Sequence, residues 1–266
     1  MSMPVETGWV CPRCSHKNKA TVFQSINTNY SPNVVDQILS GELFRSTCSS
    51  CGYVARLNYD FLYHDLVHKS MIWVLDKNAP DYEERVRDVR KTPTLYKHTR
   101  IVANTDELRE KVSCLELGKD DRIIEVFKIF IKNEFDQTRP DSKLNAIRFL
   151  YLNGIPKFYI YDQEGNQLSS DLDDAYYSMI SKEFGSIMDA ESARNYEEIN
   201  FSWALRVVDA KTKAKRSSER QVVKEEDTKA VKEEPVASAI QFCRRCGKKL
   251  LPDSVFCSFC GAKIIE

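Results

Sequence analysis

Cys11-Pro12-Arg13-Cys14 and Cys48-Ser49-Ser50-Cys51 are two C-x-x-C pairs with 33 residues between them. A C-x-x-C turn presents two thiolates side by side, and two such turns fill the tetrahedral shell of one zinc ion. A shell closed by four cysteines has no open position for water, so the expected site is structural. An intervening segment of this length needs structure of its own. The sequence provides it in a β-rich stretch over 21–29 and a short helix over 32–40. In that helix Ser31 is placed to cap the start, Pro32 takes the first position, Val34, Val35, Ile38 and Leu39 form the apolar face, and Gly41 ends it. His16 lies close to the first pair, but a fifth ligand is not needed.

The same device recurs near the other end of the chain. There Phe242-Cys243-Arg244-Arg245-Cys246-Gly247 and Phe256-Cys257-Ser258-Phe259-Cys260-Gly261 place two more pairs about ten residues apart. A segment this short cannot bury enough apolar surface to fold alone, so its order is expected to come from bound metal. The site residues expected from the sequence are therefore Cys11, Cys14, Cys48, Cys51, Cys243, Cys246, Cys257 and Cys260, holding two zinc ions.

Working outward, strands are expected over 43–47, 53–58, 61–63, 71–75 and 98–103, with a charged, solvated helix over 81–90. Asn104 followed by Glu107 forms a capping-box pattern before Leu108, Val112 and Leu115. Asp120 and Asp121 suit the start of the clearest helix, in which Ile123, Ile124, Phe127, Ile131 and Phe135 recur at the 3.6-residue period. Strands over 144–152 and 156–161 flank Asn153-Gly154, and a helix with Tyr176, Met179, Ile180 and Phe184 follows. From 211 to 238 the chain is rich in lysine and glutamate and almost devoid of aromatics, the composition of a flexible linker. The expected fold class is α+β, with a mixed sheet-and-helix body over 8–210 and a zinc-ribbon-like site embedded in it. A linker over 211–239 then tethers a small zinc ribbon over 240–266.

The 266 residues carry 39 basic and 39 acidic side chains, a formal net charge of zero that argues against a general nucleic-acid binder. Residues 1–8 have neither a basic segment nor an apolar one, so a signal peptide is not expected, and no stretch reads as membrane-spanning. Eight of nine cysteines sit in C-x-x-C pairs, which suits a reducing cytoplasm. The ninth, Cys114, reads as a small core residue.

Gly8-Trp9-Val10-Cys11-Pro12-Arg13-Cys14, Ser40-Gly41-Glu42-Leu43-Phe44, Tyr63-His64-Asp65 and Arg100-Ile101-Val102 resemble the bacterial and archaeal CpXC domain, over about 8–135. The family is named for its paired cysteines and is functionally uncharacterised. Ser49 stands where a second Cys-Pro is expected. The tail resembles the general bacterial zinc-ribbon module, with Arg244 replacing a frequent proline.

Three function classes follow. The first is a protein-interaction adaptor with structural zinc. The second is a nucleic-acid-binding regulator that uses Arg244, Arg245, Lys248 and Lys249 of the basic ribbon with its phenylalanines. The third is an enzyme with a site near His64. His64 and His68 lie four residues apart, but the third ligand and general base of an H-E-x-x-H helix are missing. In the strand reading the pair flanks a hairpin turn.

Overall fold

The computed structural model describes residues 3–230 apart from 32, 97 and 193, with side chains to 216. It divides into two units, Met1–Lys213 and Ala214–Glu266. The first is the α+β body.

Its main sheet has five strands, β1 (Met3–Val10), β2 (Lys17–Asn27), β5 (Phe61–Asp65), β6 (Ser70–Val74) and β7 (His98–Val102), in that spatial order. The β1–β2 and β5–β6 pairs are antiparallel, whereas β2–β5 and β6–β7 are parallel. A two-stranded hairpin, β3 (Arg45–Thr47) with β4 (Val54–Arg56), stands beside it. The third sheet is an antiparallel meander of β8 (Leu144–Leu152), β9 (Ile155–Asp162) and β10 (Gln167–Asp171). Asn153 and Gly154 both take positive φ, 52° and 80°, as a two-residue primed turn requires.

Six helices complete the described chain: α1 (Val34–Ser40), α2 (Tyr82–Lys91), α3 (Thr105–Glu116), α4 (Asp121–Thr138), α5 (Asp174–Glu191) and α6 (Phe201–Ala230). Helix α1 is seen from Val34, and Pro32, expected at its first position, lies outside the described residues. Its N-cap is Asn33, without a side-chain hydrogen bond, and the Ser31 carbonyl accepts from Val34 N at 2.9 Å. Gly41 does end it, at φ 77°. A Cβ there would approach the Arg109 guanidinium to 3.2 Å, which that side chain could relieve by a small shift, so it is the left-handed backbone angle that favours glycine. Leu43 and Phe44 form a 3-10 turn rather than strand, because Phe44 must turn inward to be buried. Helix α2 is not wholly solvated, since Tyr82, Val86 and Val89 pack against Leu75, Ile101 and Tyr196. The capping box at Asn104 forms, with Glu107 N donating to Asn104 Oδ1 at 2.9 Å and Ala103 N to Glu107 Oε2 at 2.8 Å. Helix α6 enters the segment read as a linker.

Apolar packing gathers in two main cores. One joins α1, β5, β6 and α3 through Ile38, Phe61, Tyr63, Ile72 and Leu108. The other joins α4, α5, the start of α6, β8 and β9 through Phe127, Phe149, Phe158, Ile180 and Trp203. Between them runs a ladder of buried ions. Arg100 on β7 grips Asp121 with Nε and Nη2, both at 2.8 Å. Lys111 on α3 reaches Asp121 at 3.0 Å, Glu125 at 3.4 Å and the Ile199 carbonyl at 2.6 Å. Lys128 then bonds Glu125 at 3.0 Å and also Glu110, which accepts from Arg148 on β8 at 3.3 Å. Burial raises the Asp121 carboxyl, but Arg100 and Lys111 more than offset this and hold it well below the usual carboxylate range.

Removing one partner of such a ladder leaves a buried charge uncompensated, so Asp121→Asn should cost about 3–5 kcal/mol in urea unfolding. The folded carboxyl lies below its ordinary value of 3.8. Its contribution is therefore complete above about pH 4 and is lost as pH falls further. Asp121→Asn should accordingly flatten the acid limb of stability against pH, and an unchanged limb would contradict the ladder.

Candidate metal centre

Each cysteine pair of the body sits at the tip of a hairpin. Cys11 and Cys14 lie in the β1–β2 turn, and Cys48 and Cys51 in the β3–β4 turn. The two turns have the same backbone pattern. In the first, Ser15 N donates to Cys11 O at 2.8 Å and Cys11 N to His16 O at 2.9 Å. In the second, Gly52 N donates to Cys48 O at 3.0 Å and Cys48 N to Tyr53 O at 2.8 Å. Ser15 and Gly52 occupy equivalent left-handed positions, φ 59° and 69°.

The turns face each other so that all four sulfurs lie within 4.8 Å of one another. Cys11 to Cys51 and Cys14 to Cys48 are each 3.6 Å, close to the ~3.8 Å edge of a tetrahedron with zinc–sulfur bonds of about 2.3 Å. Four thiolates so placed fit a zinc ion by number, type and spacing. The second turn aims donors at the sulfurs. Burial raises the Cys48 thiol, but the N–H groups of Cys51 and Ser50, with the Asn18 amide, bring it down to about 6. For Cys51 the N–H of Tyr53 favours the thiolate, yet burial and three neighbouring sulfurs push it up to about 12. A divalent cation removes that mutual repulsion, and binding therefore releases protons.

Asn18 is a part of the site that cysteine spacing does not announce. It is buried, and its Oδ1 accepts from Ser49 N at 2.9 Å and Ser49 Oγ at 3.1 Å. Its Nδ2 donates to His16 O at 3.0 Å and lies 3.5 Å from Cys48 Sγ. One side chain thus links both turns. The absence of proline at Ser49 acquires a reason here, because proline has no N–H to give Asn18. Trp9 Nε1 adds a second tie to Ser46 Oγ at 2.9 Å.

His16 uses its carbonyl rather than its ring in this network. His64 and His68 do not share a site. His64 lies between Asn27 Nδ2 at 3.2 Å and the Tyr96 hydroxyl at 2.7 Å. His68 Nδ1 is 2.8 Å from Asp65 and 4.0 Å from Glu116. Asp65, His68 and Glu116 do form a second cluster within 4.8 Å. Asp65, however, is occupied as a turn cap, accepting from Val67 N, His68 N and the Tyr63 hydroxyl. Cys114 is buried outside the four-cysteine cluster, and burial pushes its thiol well up. Cys243, Cys246, Cys257 and Cys260 lie outside the described residues.

Two opposed hairpin turns offering four sulfurs define the class of a zinc-ribbon metal-binding protein. Within that class, residues 10–128 match the family described as CpXC protein. Residues 242–264 match the zinc-ribbon domain. No curated protein and no solved structure matches the chain.

Cys48→Ser should remove one zinc per chain in elemental analysis. It should also lower the main thermal transition by several degrees, at ~4 °C per kcal/mol for a domain of this size. The route inward is short, since Phe44 and α1 lie between the two pairs and belong to the core. Asn18→Ala should weaken zinc about 10–100-fold against a competing chelator, with the stoichiometry unchanged.

Proposed function

We propose that this zinc-binding protein is a cytoplasmic, bacterial protein-interaction adaptor. In this reading its two zinc ions are structural and the segment 211–239 is a linker carrying the C-terminal ribbon. The exposed hairpin arm supports it. Of the residues of β1, all but Trp9 are exposed. Val5, Val10, Tyr53 and Val54 keep apolar side chains in solvent around the metal module. Metal-set hairpins that display apolar groups on a fixed frame suit a protein partner. Among the described residues no helix is long and apolar enough to cross a membrane.

Affinity capture should compare the full chain, a chain truncated after Asp209, and Val5→Arg/Val54→Arg. A protein retained by the full chain and lost from the double variant supports the arm as the contact. A salt-dependent shift of a mixed oligonucleotide, with no captured protein, would transfer the function to the nucleic-acid class. Metal content separates the modules. The full chain should hold about two zinc ions and the truncated chain about one, and iron or a full-chain value near one would overturn this account of the two sites.

A further inference from the structure

Four arginines crowd one corner of the body. Arg45 and Arg56 stand directly opposite each other in the β3–β4 ladder, a like-charge pairing that costs stability unless something negative bridges it. Arg109 arrives from α3 and Arg148 from β8. Arg56, Arg109 and Arg148 line a cavity of about 370 Å³, with Asp106, Asn145 and Tyr161 on its walls.

The protein answers this charge only in part. Asp106 is shared between Arg56 Nη1 at 2.5 Å and Arg109 Nη1 at 3.2 Å. Arg109 directs Nε and Nη2 at the Leu39 carbonyl, at 3.1 and 2.8 Å, which fixes its side chain against the end of α1. Arg148 gives Nη1 to Glu110 at 3.3 Å, but Glu110 is already the partner of Lys128. The Nε and Nη2 of Arg148 have no protein acceptor among the described residues. Burial lowers the Arg109 guanidinium below its ordinary value, and despite Asp106 the neighbouring Arg56 and Arg45 lower it further. Asp106 is thus the carboxylate that lines the cavity beside three arginines, while burial lowers the Arg148 guanidinium and Glu110, Asp106 and Glu107 more than restore it.

We propose that this cavity binds a phosphoryl group carried by a small phosphorylated molecule. A phosphate monoester brings close to two negative charges and three acceptor oxygens, which suits two arginines that share one aspartate and the remaining donors of the Arg148 fork. The volume lies in the range of small-molecule pockets, so the ligand is a compact molecule rather than a polymer strand. Asn145 and Tyr161 supply hydrogen-bonding groups for the remainder of the ligand. Arg56 belongs to the hairpin that carries Cys48 and Cys51. A bound phosphoryl group therefore joins the metal module to α3 and β8.

Calorimetric titration of the zinc-loaded full chain with inorganic phosphate, adenosine monophosphate and a short oligothymidylate tests this. Saturable binding of phosphate and the nucleotide is expected. Arg148→Gln and Arg56→Gln should each weaken it by about tenfold or more, and Arg148→Lys by less. Arg87→Gln, on the exposed face of α2, should leave it unchanged. If Arg148→Gln fails to fold, Arg56→Gln decides the matter, since that side chain is 45% exposed. The absence of saturation at millimolar phosphate, or equal binding by Arg56→Gln and Arg87→Gln, would overturn the site. Oligothymidylate binding more tightly than the mononucleotide would overturn the small-ligand assignment.

Discussion

The alternating ladder from Arg100 through Asp121, Lys111, Glu125, Lys128 and Glu110 to Arg148 fixes how the two apolar cores meet. It is the constraint on which the remaining packing depends. Ions cannot leave water singly, so each must find its counter-ions at the depth where the backbone places it. Helix α3 is therefore committed on two sides. Leu108 and Val112 face the core beneath the main sheet, while Glu110 and Lys111 face α4. Helix α4 is committed likewise, because Asp121, Glu125 and Lys128 recur at i, i+4 and i+7 on one stripe, beside the apolar residues that pack with β8 and β9. Sliding either helix by one residue would break several ion pairs together, so the ladder sets register more sharply than apolar contact alone.

The metal module answers a different shortage. The β1–β2 hairpin meets the rest of the main sheet only through Ser25, Ile26 and Asn27, which pair with β5. Most of the hairpin has no sheet neighbour beyond its own partner strand, and a two-stranded ribbon is marginal in water. A zinc ion held by the four cysteines at its tip, which Asn18 links to the second turn, would substitute for the missing core.

Much of this was readable from residue type and spacing. The metal-ligand turns, the helix under Ile123 to Phe135 and the turn at Asn153-Gly154 all follow from local rules that act over a few residues. What escaped was long-range. The strand β1 is almost wholly exposed and β10 nearly so, so neither shows the apolar alternation that marks a strand. Asn18 has no motif of its own, because its role depends on Ser49, 31 positions away. The charged residues of α3 and α4 look like an ordinary solvated face until their partners arrive from β7 and β8. Among the site cysteines, the geometry of Cys11, Cys14, Cys48 and Cys51 agrees with their spacing, whereas the other four fall beyond the described residues.

The equivalence of the two cysteine turns has a consequence for assembly. Each is a self-contained half-site, closed by the same pair of backbone hydrogen bonds and presenting the same two sulfurs. Before the chain has folded, a half-site therefore has no means of telling its own complement from that of a neighbouring molecule. Only proximity along the chain decides. The 33 residues between Cys14 and Cys48 set an effective concentration on the order of millimolar. Intramolecular closure prevails while chains are dilute, and newly made chains crowded together in excess zinc would become cross-linked through metal into oligomers.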